Sequence, residues 1–169
     1  MMCEKLSSIV KTLLAGNKQQ VAMDGALYTF HQPSPKAYQR MSWLWDSCFH
    51  AVVNAHFSIE EALSELRSLL VHQLEDGADA GMIPHMRFWH EDAKLPEFHN
   101  QACSWITNPP LIGSCLVHIL ASRPEAERQI VFDEFYLPLS NYHHWFERRR
   151  ELFNDGLVVN IHPWETGRD

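Results

Sequence analysis

Hydrophobic and polar positions follow three different rhythms along this chain. Over residues 2–15, Leu6, Ile9, Val10, Leu13 and Leu14 recur at helical spacing with Lys5 and Lys11 between them. That spacing predicts an amphipathic helix ended at Gly16-Asn17. Residues 17–40 lack the period, and Pro33 and Pro35 impose extended backbone, so this stretch reads as a loop with room for a short β-hairpin at 20–31. Residues 42–56 predict a helix that is apolar nearly all round. Trp45, Phe49, Val52 and His56 share one face, and Leu44, Cys48, Ala51 and Ala55 fill much of the rest. Residues 59–74 differ: Ile59, Leu63, Leu66 and Leu70 form one stripe, with Glu60, Glu61, Ser64, Glu65 and Arg67 opposite. Ser58 and Glu61 set up a capping box at its start.

The pattern then repeats. Asn108-Pro109-Pro110 reads as an N-cap with first-turn prolines, and residues 110–121 are apolar almost throughout. Residues 124–149 are amphipathic through Ile130, Phe135, Tyr142, Trp145 and Phe146, after a second capping box at Ser122 and Glu125. Cys48 and Cys115 hold matching places, and the loops that follow both run from an Asp-Gly turn to aliphatic residues and a histidine, His85 and His162. Two hairpins result, each a buried inner helix (42–56, 109–121) followed by a half-exposed outer one (59–74, 124–149). This predicts an all-α fold of the α-solenoid or α/α-toroid kind. The loops are long for a solenoid and rich in Trp, His, Asp and Glu, which favours a toroid with its site on one face. The helices found do not close such a ring, so 1–169 is expected to be one truncated domain, the first part of a larger barrel.

Composition narrows the functions. Of 169 residues, 46% are hydrophobic and 21% charged, which excludes wholesale disorder. The net charge of -7 argues against nucleic acid, because each phosphate contact needs a Lys or Arg and the one dense basic run, Arg148-Arg149-Arg150, is flanked by Glu147 and Glu151. No stretch approaches the ~18 apolar residues of a membrane span, and the N-terminus is not patterned as a signal peptide. Cys3, Cys48, Cys103 and Cys115 are far apart, without C-x-x-C, and are expected to be reduced thiols of a cytoplasmic protein.

Four segments could carry chemistry. Residues 38–46 place Trp43, Trp45 and Asp46 at a helix start. Indole rings stack on the apolar face of a sugar and a carboxylate accepts paired hydroxyls, although a core ring and a first-turn acid favoured by the helix dipole have the same pattern. Residues 162–169 pack His162, Trp164, Glu165, Arg168 and Asp169 around Gly167. That density suits acid/base work by carboxyls held apart in pKa, or else a mobile tail. Asn108 could face a ligand or cap a helix. The histidines include no H-E-x-x-H, and His143-His144 diverge on a helix, so no metal site is expected. G-x-S-x-G, P-loop and dinucleotide motifs are absent.

In order, W-x-W-D (43–46), D-G-x3-G-M-I-P-H (76–85), I-T-N-P-P (106–110), D-G-L (155–157) and H-P-W-E-T-G-R-D (162–169) resemble glycoside hydrolase family 63, in the branch of mannosylglycerate hydrolases and processing α-glucosidases. The resemblance covers about Tyr38 to Asp169. It implies an (α/α)6 barrel, hydrolysis of α-glycosidic bonds with inversion, a small carbohydrate substrate and no cofactor. It also implies Asp169 as general acid, with Tyr38, Trp43, Trp45, Asp46, Trp164 and Glu165 lining the sugar pocket. Asn108 stands where the family usually has Gln, and the family's general base lies beyond the matching motifs. The expected function is therefore part of an inverting α-glycosidase for glycosylglycerates or short α-glucosides, inactive alone. A non-catalytic carbohydrate-binding module, or another α/α-toroid enzyme such as an epimerase or lyase, remains in competition. Sugar, aglycone and oligomeric state are open at this level.

Overall fold

The structure, a computed structural model, describes residues 2–23, 25–34, 36, 38–99 and 101–167. Its elements are α1 (Met2–Asn17), β1 (Lys18–Met23), β2 (Ala26–His31), β3 (Met41–Trp43), α2 (Leu44–Asn54), α3 (Ile59–Leu70), β4 (Met86–Phe88), α4 (Ile112–Leu120) and α5 (Glu125–Arg150). The chain is thus mainly helical but not all-α: β1 pairs with β2 and β3 with β4, each pair antiparallel. The fold departs from all-α at the β1–β2 hairpin, for which the sequence left room at 20–31, and at Met41–Trp43, whose last two residues the apolar pattern assigns to the 42–56 helix but which finds a strand partner in a distant loop. None of the described helices is long and apolar enough to cross a membrane.

The main core lies among α2, α3, α4 and α5, built from Leu44, Leu66, Met82, Ile83, Ile112, Leu116, Phe135, Tyr142 and Trp145. Gly81 lets the loop after α3 press on α5. Its φ is +95°, and a Cβ there would meet the Asn141 carbonyl oxygen at 2.5 Å. A second apolar cluster under the β3–β4 sheet holds Met41, Trp43, Met86, Phe88, Phe98 and Ile106.

Ser58 caps α3 as the box predicted, accepting the Glu61 N–H at 3.2 Å. The box at Ser122 does not form, because α5 begins after Pro124 without a side-chain cap. Burial also departs from the inner/outer expectation. α4 has a wet face, with Ser114, Val117 and His118 exposed, whereas α3 has only Glu60 exposed. The cause is Glu65, placed on the polar side of the stripe but fully buried. Its carboxylate accepts the His31 N–H at 3.1 Å and bonds His31 Nδ1 at 2.6 Å, so the β1–β2 hairpin covers the polar face of α3. Burial pushes the Glu65 carboxyl up, but the bonds from His31 and His50 outweigh it and hold the group below the ordinary carboxylate value. Cys48, Cys103 and Cys115 are free thiols; the side chain of Cys3 lies outside the described residues.

Candidate active site

Each chemistry-bearing segment is fixed by main-chain bonds before its side chains are considered. β3 delivers Trp43 to the start of α2, where the Leu44 N–H donates to the His85 carbonyl at 3.0 Å. The His85 N–H in turn donates to the Ile106 carbonyl at 2.8 Å. One residue therefore ties the W-x-W-D turn to the I-T-N-P-P loop. Thr107 follows, its hydroxyl bonding the Ile83 carbonyl at 2.7 Å and also touching the Tyr142 hydroxyl. Tyr142 donates to the Asn108 carbonyl at 2.9 Å. The segment after α5 closes the site with a 3-10 turn, Pro163–Thr166, capped by His162, whose Nδ1 accepts the Trp164 N–H at 3.2 Å.

These segments meet around two adjoining cavities. The inner one, about 270 Å³, is lined by Trp43, Trp45, Asp46, His85, Asn108 and Gly167. The outer one, about 360 Å³, shares Trp43, Asp46 and His85 and adds Pro33, Tyr38, Met41, Met86, Leu95 and Trp164. The inner lobe is polar with indole walls and the outer lobe is apolar, the pairing that orients a small polar ligand in a concave site. A larger cavity, about 690 Å³, opens between the end of α3 and α5; it touches the 76–85 run at Ala80 and Gly81 and holds none of the expected sugar-binding residues. Gly167 is at φ +68°, and a Cβ there would sit 3.2 Å from the Trp45 ring, so only glycine lets this turn lie flat against the indole. Tyr38 also adopts a left-handed φ of 60°, a strained value for an aromatic residue, and stands edge-on to Trp43 at 5.0 Å.

Two buried polar atoms in the inner lobe have no hydrogen-bond partner among the described residues: Asn108 Oδ1 and His85 Nδ1. Asn108 is 2% exposed, and its amide N–H is committed to the Trp164 carbonyl at 2.9 Å. The amide therefore holds the Trp164 turn with its N–H, while its Oδ1 is a buried acceptor without a partner in a residue of the cavity wall. It does not cap a helix, since α4 starts only at Ile112. Burial, with a contribution from nearby His162 and against the pull of Glu165, lowers His85 to about 4. Its imidazole is neutral at neutral pH. His85 was outside the expected pocket set, although the D-G-x3-G-M-I-P-H run that ends on it was the available signal.

Of the expected site residues, Tyr38, Trp43, Trp45, Asp46, Asn108 and Trp164 come together here. Glu165 does not line either cavity. It is 2% exposed, and its carboxylate accepts from Arg150 Nη2 at 2.7 Å, the Thr107 N–H at 3.3 Å and the Ile161 N–H at 2.8 Å. Both oxygens are used, so Glu165 clamps the end of α5 to the loop beneath the pocket instead of meeting a ligand. Asp169 and Arg168 lie outside the described residues. No group of three or more His, Cys, Asp or Glu among the described residues is arranged to hold a metal.

Residues 38–169 match the family described as the mannosylglycerate hydrolase MGH1-like glycoside hydrolase domain. The mannosylglycerate hydrolase of Thermus thermophilus is 32% identical over 141 residues, which is 75% of this chain and 32% of that protein. The glucosylglycerate hydrolase of Mycolicibacterium hassiacum is 29% identical over 182 residues, 96% of this chain and 40% of that protein. Among solved structures, the GH63 mannosylglycerate hydrolase of Thermus thermophilus in complex with Tris and D-glycerate superposes with a TM-score of 0.78 at 28% identity. It covers 97% of this chain and 38% of that one. The chain thus spans about a third of the length of the curated relatives it matches.

Proposed function

The chain belongs to the mannosylglycerate hydrolase-like branch of glycoside hydrolase family 63, and from that premise we propose that its motif cluster is the sugar-recognition part of an inverting α-glycosidase site. The ligand is an α-linked mannosyl or glucosyl compound such as a glycosylglycerate or a short α-glucoside. The observation that carries this is the inner lobe itself. Segments from four parts of the sequence bring two indoles, a carboxylate and two unpartnered buried polar atoms to one cavity. Leaving Asn108 Oδ1 unmet costs about 1–3 kcal/mol, which a ligand hydroxyl donating to it recovers. Asp46 and neutral His85 accept further hydroxyls, and Trp43 and Trp45 supply apolar faces.

Asp169, two residues beyond Gly167, is the general acid in this proposal. Inversion also needs a base on the other side of the sugar, ~6.5–9.5 Å from the acid, to activate water. Among the described residues Asp46 is the one carboxylate lining the cavities, and Glu165 is locked. The base therefore comes from outside 1–169, and the five helices are the first part of an (α/α)6 toroid in a cytoplasmic enzyme. The chemistry needs two carboxyls and water and calls for no cofactor. The single cavity carboxylate also favours a second reading, a module that binds sugar without hydrolysing it.

The test is calorimetric titration of the chain with α-mannosylglycerate and α-glucosylglycerate beside an assay for released sugar. Binding without turnover is expected. Turnover by the chain alone would place the base within 1–169, and failure to bind either compound or any short α-glucoside would sink the sugar reading. In a longer form, turnover lost on Asp169→Asn with binding retained decides for hydrolysis over the binding module.

A further inference from the structure

Trp105 belongs to neither cavity, yet the backbone on both sides of it is held by hydrogen bonds. Residues 102–106 run antiparallel beside β4. The Phe88 N–H donates to the Ala102 carbonyl, the Ser104 N–H to the Met86 carbonyl and the His85 N–H to the Ile106 carbonyl, at 2.9, 3.0 and 2.8 Å. Ser104 and Ile106 are buried at 1% and 0% exposure, whereas Trp105 between them is 51% exposed. Alternation along an extended segment thus turns the indole outward from a backbone held on both sides.

That indole is continuous with the site. The His162 ring stands nearly perpendicular to Trp105 at 5.9 Å and to Trp164, an outer-lobe wall, at 5.2 Å. Trp105 and Trp164 also share contact with buried Phe98, at 6.3 and 6.0 Å. Because His162 Nδ1 accepts the Trp164 N–H, the ring's donor is Nε2–H, which has no partner among the described residues. A half-exposed indole beside an available N–H donor is a surface for a ring with one apolar face and hydroxyls at its edge. Weakly positive sugar C–H groups meet the negative aromatic face while a hydroxyl oxygen takes the N–H.

We propose that Trp105 and His162 form a second sugar platform next to the outer lobe, which accepts a further pyranose of an α-linked oligosaccharide whose end occupies the pocket. This rests on the pocket being a sugar site, and it extends the ligand class from single glycosides to longer chains.

The experiment titrates the 169-residue chain with methyl α-glucopyranoside, maltose and maltotriose. Affinity should rise about fivefold from the single ring to the longer probes. Trp105→Ala should abolish that rise and leave the single-ring affinity unchanged, and Trp105→Phe should keep most of it. The platform is overturned if the wild-type chain shows no gain with length, if the gain survives Trp105→Ala, or if that variant weakens all three probes equally. No affinity for any of the three overturns the pocket reading itself, and the platform with it.

Discussion

Glu165→Ala separates a structural clamp from a ligand-binding carboxylate. The substitution leaves Arg150, 4% exposed, without its 2.7 Å partner and removes the acceptor for the Thr107 and Ile161 N–H groups. Breaking a buried pair by deleting one member costs about 3–5 kcal/mol, because the remaining charge is neither solvated nor paired. The Trp145 ring, 4.4 Å from the guanidinium, offsets part of this, so the lower end, about 3 kcal/mol, is expected. That is a large share of the ~5–15 kcal/mol that holds a domain together. Urea denaturation followed by tryptophan fluorescence reads the change as a shifted midpoint at unchanged slope. Thr107 and Ile161 flank the elements that aim Asn108 and Trp164, so sugar affinity should fall together with stability. Replacing the pair by Arg150→Met with Glu165→Leu should recover much of the loss, since no unpaired charge remains. A Glu165→Ala variant with wild-type stability and no sugar binding would refute the clamp and return Glu165 to the pocket.

His85 gives a pH signature. Its folded value is about 4 against ~6.5 in the unfolded chain, so between these the unfolded state binds the extra proton. Stability is full above pH ~6.5 and drops by on the order of 3 kcal/mol as pH falls toward 4. Half-buried His72, lowered to about 3 mainly by desolvation with Arg87 adding to it, acts in the same sense. Urea midpoints from pH 8 to 4 should therefore slope less in His85→Gln than in the wild type, and identical slopes would contradict this. Gly81→Ala should destabilise by about 1–3 kcal/mol, because its Cβ cannot clear the Asn141 carbonyl. Gly77→Ala, also at positive φ but in open space, should cost less, and equal costs in thermal melts would remove the contact argument.

Local patterns were readable where neighbours in sequence decide the outcome. The α3 stripe with its Ser58 cap and the hairpin near 20–31 needed no distant partner. What escaped was set by contacts far along the chain. The three-residue strand Met41–Trp43 is too short to show a period, and its partner Met86–Phe88 lies across two helices. Glu65 reads as a solvated charge until His31, 34 residues earlier, takes it inside. Glu165 reads as a pocket carboxylate and Arg148–Arg150 as a basic run flanked by acids, yet Arg150 and Glu165 neutralise each other in the interior. The pocket was more legible than the layers around it, because Trp43, Trp45 and Asp46 sit at the junction of β3 and α2, Asn108 in the loop before α4 and Trp164 in the 3-10 turn after α5, short segments whose proline, glycine and aromatic content is conspicuous in one dimension. His85 was passed over as one histidine among 11.

The central claim is that the inner lobe holds a sugar through Asn108 and His85. A crystal structure of the chain soaked with methyl α-mannopyranoside tests it most directly. A pyranose is expected between Trp43 and Trp45, with one hydroxyl donating to Asn108 Oδ1, another to His85 Nδ1, and Asp46 accepting from a third. A sugar bound elsewhere, or a filled lobe with Asn108 Oδ1 and His85 Nδ1 still unpaired, would contradict it.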